Sequence, residues 1–485
     1  MRTVLRLAIL GSAMEVVYLL AITRSWWLWD YFQRPGVKLP LSRNEEGLIQ
    51  YIVGIVVLFV LYGAVCWSSR KGRSRWADLA VFAFPVIFAT TLIPTFPVTS
   101  SDIFHYMMEG RIFWTHGDNP LVSVPASYAD DPYFPFVIKW DYFHSTPYGP
   151  LWILLTGLPS ALPQAHPDVV LIGYKLLGVA FYLGTAWLIW LVLSELQPQH
   201  RRLGVVLYAW NPLVLLSVAA NGHNDAAMMF FAVLAFYFAV RERWHWAVPS
   251  LALAVLLKYV VLLLLPLLLY YAWRRTAAQQ RSSLAVGVAL AVVIAVAVFA
   301  PFWQGLDTFQ AMREDQRSWF VNSTQEATLL VLAKFISVNS AMQLARTLGA
   351  LAFLVPYLMV LLRLKGGPQS FIVAGYQAIF LYLLLGSSIF YPWYVIWPLS
   401  IGAALAWSPW ALTGLLLSFT ASFIDVIDRL VFDFHFLNGD SGLRSALAFV
   451  VAFGPPALLW TFLAWRRWSW RLWRLTPALV PEYET

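Results

Sequence analysis

Residues Leu284–Phe302 read LAVGVALAVVIAVAVFAPF, and this run contains no charged side chain. An apolar run of about 18 residues or more is long enough to cross the hydrocarbon core of a bilayer as an α-helix. Similar runs recur from Tyr51 to Trp67 and from Ser445 to Trp465. Of the 485 residues, 60% are hydrophobic and 12% are charged, whereas a soluble domain carries about 25% charged residues. The sequence therefore predicts an all-α polytopic membrane protein.

Basic residues set the expected orientation. They lie in short clusters between the apolar runs, the densest being RKGRSR at 70–75, and such loops stay in the cytoplasm. The net charge of +8 is thus explained by topology and does not indicate nucleic-acid binding. With these clusters inside, we expect about fourteen spans, an uncleaved first helix and two cytoplasmic termini. The predicted spans are 4–23, 48–68, 77–96, 168–194, 203–220, 226–240, 245–257, 259–273, 283–303, 345–363, 370–388, 392–407, 409–425 and 445–465.

Three apolar segments do not fit as simple spans. If Leu151–Leu162 or Ala327–Val338 crossed the bilayer, the next basic cluster would lie outside, so both are predicted to be short re-entrant or interfacial helices on the outer face. The run Trp244–Trp273 carries Lys258 near its middle, where a charge in lipid is costly. We expect two short helices there, with Lys258 at the outer turn.

This topology places the polar loops that are poor in basic residues on the outer side. They are 97–146, the 221–225 turn, Lys258, 304–325, the 391–394 turn and 425–443. We expect them to converge on one outward-facing cavity within a single transmembrane domain, 1–485. Its parts are two N-terminal helices (1–75), core helices with the first external loop 97–167 (76–345), and C-terminal helices (346–485). The single Cys66 excludes an intrachain disulfide and a cysteine metal site.

Short motifs follow one another through these loops. In the first loop they are Ser100-Ser101-Asp102 with Tyr106, Gly110-Arg111, Gly117-x-Asn119-Pro120 and Tyr148-Gly149-Pro150-Leu151-Trp152. Later come Trp210-Asn211-Pro212-Leu213, Asn221-Gly222-His223-Asn224-Asp225 and Tyr391-Pro392-Trp393-Tyr394. From Phe96 to Pro398, their order resembles that of GT-C membrane glycosyltransferases. Within that superfamily the chain is most similar to bacterial polyprenol-phosphomannose-dependent α-mannosyltransferases.

The resemblance implies an inverting glycosyltransferase of the bacterial plasma membrane. It would move a hexose, expected to be mannose, from a polyprenyl-phosphate donor to a hydroxyl of a lipid-linked glycan or other acceptor on the extracytoplasmic face. Asp102 is the implied general base. Many GT-C enzymes carry a second acid two residues upstream, and Ser100 replaces it here. We therefore expect no cofactor and no metal ligands, with a divalent metal left open.

Each first-loop candidate has a structural alternative. Asp102 could be the N-cap of the predicted helix Ile103–Trp114. His105 lies three residues further along the same face and could tune the acid or pair with it. Arg111 could bind phosphate or form an ion pair with Glu109 or Asp118. Tyr106 and Tyr148 are further candidates for substrate binding.

The later candidates also allow two interpretations. His223, Asn224 and Asp225 start a helix, and three polar groups exceed what one cap needs, so sugar-hydroxyl binding is expected. Lys258 would bind the donor phosphate or snorkel to the interface. The other candidates are Arg313 and Arg317, which could also form a solvated helix face, and Tyr391, Trp393 and Tyr394, which could form an aromatic belt or stack on sugar or prenyl groups. The acidic series Asp425, Asp428, Asp433 and Asp440 is predicted to be a solvated loop.

A second class of function uses the same residues. In a transporter or flippase for a lipid-linked or small polar solute, they would line a pathway. A transporter should place charges at depth along several helices, whereas here the polar groups crowd one face, which favours the enzyme. The sequence does not separate mannose from glucose, galactose or arabinofuranose.

Overall fold

The computed structural model describes residues 2–32, 41, 45–70, 74–277, 281–310, 319–436 and 440–469. The elements within these ranges are helices. The α-helices are Arg2–Val17, Leu28–Phe32, Glu45–Ser68, Arg75–Leu92, Asp102–Trp114, Pro150–Leu155, Gly157–Ser160, Pro167–Leu196, Arg201–Ala209, Pro212–Leu215, Asp225–Val240, Trp244–Val255, Leu264–Arg275, Arg281–Phe299, Thr324–Leu332, Val338–Leu362, Pro368–Leu381, Ile396–Ala403, Pro409–Ala421, Ile424–Phe432 and Ser441–Ser469. Short π-helical turns at Tyr18–Thr23, Leu216–Ala220 and Tyr382–Gly386 extend three of them.

The helical, polytopic character predicted from the sequence is confirmed, but the count of fourteen spans is not. Among the described residues, nine helices are long and apolar enough to cross a membrane. The longest runs from Pro167 to Leu196 and has 30 residues, which corresponds to about 45 Å of helix. The five predicted spans outside this group, 203–220, 226–240, 245–257, 259–273 and 392–407, are helical but shorter or broken.

The predicted span 203–220 is a pair of helices bent by 51°. The break falls at Asn211-Pro212, where proline has no N–H to donate and Asn211 caps the second helix through Leu213 N (3.0 Å). Nearly every side chain between Arg202 and Met229 is buried. This segment therefore lies at the centre of the bundle, where other helices cover it and it need not match the bilayer thickness.

Lys258 interrupts its apolar run, as predicted. It lies between the helices Trp244–Val255 and Leu264–Arg275, and a 3₁₀ turn, Tyr259–Leu263, follows it directly. Each of these two helices has 12 residues, about 18 Å, against a hydrocarbon core of about 30 Å. They form a short hairpin rather than two full crossings.

Other predicted boundaries need correction. The span predicted to begin at 345 begins at Val338, because the Ser337 hydroxyl caps this helix through Ser340 N. The segment 151–162 forms the two short helices Pro150–Leu155 and Gly157–Ser160, and the helix predicted within 327–338 is Thr324–Leu332.

The prediction of a solvated loop over 425–443 is wrong for its first part. Ile424–Phe432 is a helix that packs against Ser441–Ser469 and buries Ile424, Ile427 and Val431 at helical spacing. The carboxylate of Asp428 lies 3.3 Å from the Arg444 guanidinium. The charged residues Asp425, Asp428 and Arg429 suggested a solvated loop, although the apolar residues between them follow a helical pattern.

The orientation can be tested with single cysteines, since the native Cys66 is buried. Ala165 lies in the loop predicted to be external and Ala277 follows the Arg274-Arg275 cluster, and both are exposed. We expect Ala165→Cys to react with a membrane-impermeant maleimide in intact cells and Ala277→Cys to react only after permeabilisation. The reverse pattern would invert the topology and move the first loop to the cytoplasm.

Candidate functional site

The first-loop helix Asp102–Trp114 begins one residue earlier than predicted and presents Asp102 in its first turn. Asp102 is not the N-cap, because Ser101 holds that position and makes no side-chain cap bond. One carboxylate oxygen of Asp102 accepts a hydrogen bond from the Ser100 hydroxyl (2.8 Å). The side chain keeps 29% of its surface exposed, whereas the next ten residues of the helix are buried. Its carboxylate is therefore partly accessible at the start of an otherwise buried helix.

A second polar segment is clamped onto this helix start. Asn221 accepts hydrogen bonds from Val98 N (2.8 Å) and Thr99 N (3.2 Å) and donates one to the Thr99 hydroxyl (2.9 Å). Gly222 follows with φ of +78°, and a Cβ there would lie 2.3 Å from Ile103 Cδ1. Only glycine suits this backbone angle and this close approach. The clamp brings His223 Nδ1 to 3.6 Å from Asp102 Oδ2.

The Tyr148-Gly149-Pro150 motif joins the first loop to the Lys258 turn. The backbone N–H of Gly149 donates to Leu257 O (2.9 Å), and that of Leu151 donates to Leu256 O (3.1 Å). A Cβ on Gly149 would lie 2.1 Å from Leu256 O, so a larger residue would separate the two segments. The Lys258 ammonium then lies 5.2 Å from the centre of the Tyr148 ring.

Lys258 forms a salt bridge that was not predicted. Its ammonium lies 2.8 Å from Asp225 Oδ1, and the Asp225 side chain is fully buried. The Trp397 indole N–H donates to the same oxygen. The ammonium is also 5.9 Å from the centre of the Tyr394 ring, which itself stacks on Trp397 at 4.2 Å. Asp225, expected to bind sugar, thus serves first as the counter-ion of Lys258.

Several buried polar atoms beside this pair have no hydrogen-bond partner. They are both ring nitrogens of His223, both amide atoms of Asn224 and Oδ2 of Asp225. Buried polar atoms in proteins are paired in most cases, so such a group of unpaired atoms is available to a polar ligand. The three residues share one turn, and their available atoms are suited to the hydroxyls of a sugar.

Three aromatic rings are stacked in sequence at this turn. The centre of the His223 imidazole lies 3.9 Å from that of the Trp393 ring with 20° between the planes, and Tyr391 also stacks on Trp393, at 4.6 Å and 8°. The predicted site turns 221–225 and 391–394 therefore meet. Their contact is ring to ring, and neither of the two aromatic roles predicted for Trp393 included it.

His105 belongs to an acidic cluster beside Asp102. Its Nε2 lies 2.9 Å from the buried Glu109 carboxylate, and its Nδ1 lies 3.9 Å from Asp141. Burial lowers the pKa of His105, but Glu109 and Asp141 outweigh this effect and raise the pKa to about 9. His105 is therefore a cation at neutral pH. Sequence reasoning missed Glu109 and Asp141 as its partners.

Asp102 itself lacks a strong counter-ion. Burial among protein groups raises the pKa of Asp102 to about 6, the Ser100 hydrogen bond opposes this, and the Asp141 charge adds to it. Lys258 and His105 lie within electrostatic range and lower the pKa. The neighbouring Tyr106 hydroxyl lies 3.3 Å from that of Tyr148, so these two candidates are in contact.

The predicted arginine candidates have different outcomes. Arg111 forms an ion pair that holds the loop, but with Asp131 (2.7 Å) and not with Glu109 or Asp118. Its guanidinium also lies over the Tyr133 ring. The candidates Arg313 and Arg317 lie outside the described residues. In the described part of the chain, no group of three or more His, Cys, Asp or Glu side chains is arranged to hold a metal ion.

Comparison with known proteins assigns the chain to a family. A family model described as "Alpha-(1->6)-mannopyranosyltransferase, N-terminal domain" matches residues 9–275. The chain belongs to this mannosyltransferase family. The match confirms the resemblance to GT-C mannosyltransferases seen in the motifs, and it covers Asp102, the 221–225 turn and Lys258.

Two curated relatives carry the same name, "Alpha-(1->6)-mannopyranosyltransferase A". The one from Mycobacterium tuberculosis is 23% identical over 351 residues, which cover 68% of this chain and 66% of the relative. The one from Corynebacterium glutamicum is 21% identical over 253 residues, 48% of this chain and 49% of the relative. The chain thus spans about half to two thirds of the length of these relatives.

The Lys258–Asp225 pair predicts a stability effect. Lys258→Met leaves the buried carboxylate without its cation, which typically costs about 3–5 kcal/mol. We expect a clear fall in the midpoint of thermal unfolding of the detergent-purified protein. The double variant Lys258→Met/Asp225→Asn should recover most of this loss, because it removes both charges. Lys139→Met, at an exposed loop lysine, is the matched control. If Lys258→Met were as stable as Lys139→Met, the pair would not hold the site together.

Proposed function

We propose that the chain transfers a mannosyl group from a polyprenyl-phosphate mannose to a hydroxyl of a lipid-linked or other glycan acceptor, with inversion, at the outer face of the bacterial plasma membrane. Membership of the mannosyltransferase family supports the sugar and the reaction class. The observation that carries the mechanism is the grouping of the partly exposed Asp102 carboxylate, the Lys258–Asp225 ion pair and the unpaired polar atoms of 223–225.

In this proposal Asp102 is the general base. The acceptor oxygen forms a bond to the anomeric carbon while the bond from that carbon to the donor phosphate oxygen breaks. The acceptor proton passes to Asp102, and the bonding electron pair leaves with the polyprenyl phosphate. A base with a pKa near the working pH is suited to this task, since it is mostly ionised and still accepts a proton readily.

The leaving phosphate needs positive charge, which Lys258 and His105 supply in this proposal. Both lie within electrostatic range of Asp102. Each lies beside a carboxylate, Asp225 at 2.8 Å from Lys258 and Glu109 at 2.9 Å from His105. Fixed cations at the position where charge develops stabilise a transition state more than flexible ones, because no reorganisation is needed.

A membrane-anchored donor agrees with the depth of the site. The Lys258 turn closes a hairpin of two helices of about 18 Å each, which is shorter than the hydrocarbon core of about 30 Å. A prenyl chain in the bilayer could therefore bring its phosphate to this turn from the side. The relatives are named for an α-(1→6) linkage, and inversion to an α product requires a β-configured donor.

Asp102→Asn tests the base. Asparagine keeps the shape of the side chain but accepts no proton, so we expect transfer to fall on the order of 10²-fold or more. The assay follows label from radioactive polyprenyl-phosphate mannose into a longer glycan, in membranes and with the purified protein, with and without EDTA. Since Ser100 replaces the usual upstream acid, we expect activity to survive EDTA.

The control is Asp118→Asn, at an exposed carboxylate of the same loop. More than about a tenth of wild-type activity in Asp102→Asn would remove Asp102 as the base. Binding of the labelled donor without transfer by the wild type, together with its movement across the membrane of proteoliposomes, would indicate a transporter instead.

The pH dependence offers an independent test. The base must be deprotonated, and the pKa of Asp102 is raised to about 6. We expect kcat/KM to be level above about pH 7 and to fall about tenfold per pH unit well below pH 6. His105 stays protonated over this range because its pKa is about 9. An acid limb near pH 4, the ordinary range of an aspartate, would argue against an enclosed base.

A further inference from the structure

We infer that His223 is a positioning residue that donates Nδ1–H to the Asp102 carboxylate and fixes its orientation toward the acceptor, and that the Trp393–Tyr391 stack holds the imidazole in place. This inference rests on the proposed function, in which Asp102 is the base. It gives His223 and Trp393 a role distinct from the sugar contact expected from the sequence.

The first support is the geometry of His223. Its Nδ1 lies 3.6 Å from Asp102 Oδ2, and its side chain has no exposed surface. Neither ring nitrogen has a hydrogen-bond partner, which is uncommon for a buried imidazole. The separation exceeds a hydrogen bond by about half an ångström. Catalytic hydrogen bonds are often long in the absence of substrate and shorten when it binds.

The charge state of the ring fits a donor role. Burial lowers the pKa of His223 well below its usual range, and the Lys258 charge lowers it further. The imidazole is therefore neutral and carries a single N–H. We assign that hydrogen to Nδ1 because this nitrogen faces the carboxylate. A neutral donor orients Asp102 without abolishing its basicity, whereas a cation in contact would.

The stack explains how the ring keeps this orientation. The Trp393 ring lies 3.9 Å from the imidazole with 20° between the ring planes, and Tyr391 stacks on Trp393 with 8° between theirs. Rotation of the imidazole about its bond to Cβ would break this face-to-face contact. On the backbone side, Asn221 bonds to Val98 and Thr99 and thereby fixes the turn relative to Asp102. Both the plane and the position of the ring are thus set by contacts outside it.

Other titratable groups also face Asp102 and influence the pH at which its carboxylate titrates. They are Asp141 and His105 from the first loop, Lys258 from the hairpin turn, Asp425 from the Ile424–Phe432 helix, and the phenols of Tyr106 and Tyr148. Apart from the Ser100 hydroxyl, which bonds to the other carboxylate oxygen, these groups act through space. Among the described residues, His223 is the one histidine with a ring nitrogen within 4 Å of the Asp102 carboxylate.

The test compares His223→Phe, which keeps a ring on Trp393 but removes the N–H, with His223→Asn, whose amide can place an N–H near the former Nδ1. For His223→Phe we expect kcat to fall on the order of 10- to 100-fold, with donor KM changed less than about threefold. Its acid limb should move to higher pH, because loss of a donor to the charged form raises the pKa of the base. His223→Asn should restore part of kcat and return the limb toward the wild-type position.

Two further variants keep the test decisive. His245→Phe is the matched control, since His245 bonds to Ser283 at the end of the Trp244–Val255 helix opposite the Lys258 turn, and it should leave the pH profile unchanged. If His223→Phe does not purify as a monodisperse species, Trp393→Leu is used instead. It removes the stack, and we expect the acid limb of its pH profile to move in the same direction but by less.

The outcomes separate the two proposals. A raised donor KM with an unmoved acid limb in His223→Phe would show that His223 binds substrate and would overturn this inference alone. If Asp102→Asn stays active, the base assignment fails and the inference with it. In the Asp102→Asn background, His223→Phe should cause no further loss, because a positioning residue acts only through the group that it positions. An additional tenfold loss there would contradict it.

Discussion

The salt bridge between Lys258 and Asp225 is the constraint on which the site depends. A carboxylate with no exposed surface must have a cation, and Lys258 reaches it only because the 244–275 run breaks into a short hairpin. That hairpin is held by backbone hydrogen bonds from Gly149 and Leu151, so the first loop is fixed to it as well. The pair therefore links three segments distant in sequence. A larger residue at position 149 would disturb the ion pair without touching either charge.

Fold class could be predicted from the sequence because apolar runs and basic clusters are local signals. The number of crossings could not, since apolarity does not tell whether lipid or protein covers a helix. The predicted span 203–220 shows this: it is as apolar as a lipid-facing span, yet it lies buried at the centre of the bundle. The helix Ile424–Phe432 shows the opposite error, because Asp425, Asp428 and Arg429 suggested a solvated loop although one face is apolar and packed.

The residue types of the site could also be predicted, but not their partners. The motifs indicated Asp102, the 223–225 turn, Lys258 and the 391–394 turn, and the structure brings these together. The pairing of the charges depends on close backbone approaches at Gly149 and Gly222. The spacing of residues in the sequence does not predict such approaches. Arg111 illustrates the limit: its partner, Asp131, is 20 residues away across an irregular loop, whereas the two acids considered were nearer in sequence.

The distribution of partners explains why Asp102 is suited to act as the base. Glu109 pairs with His105, Asp225 with Lys258 and Asp131 with Arg111, so the charge of each of these carboxylates is balanced by a close cation. Among the described residues Asp102 forms no ion pair with lysine or arginine: the Ser100 hydroxyl donates to one carboxylate oxygen, and the neutral His223 imidazole lies 3.6 Å from the other. Enclosure then raises the pKa of Asp102 to about 6 while the cations that would serve the phosphate remain nearby but occupied. In this proposal Asp102 accepts the proton, whereas the two cations that stabilise the phosphate, Lys258 and His105, each lie beside another carboxylate.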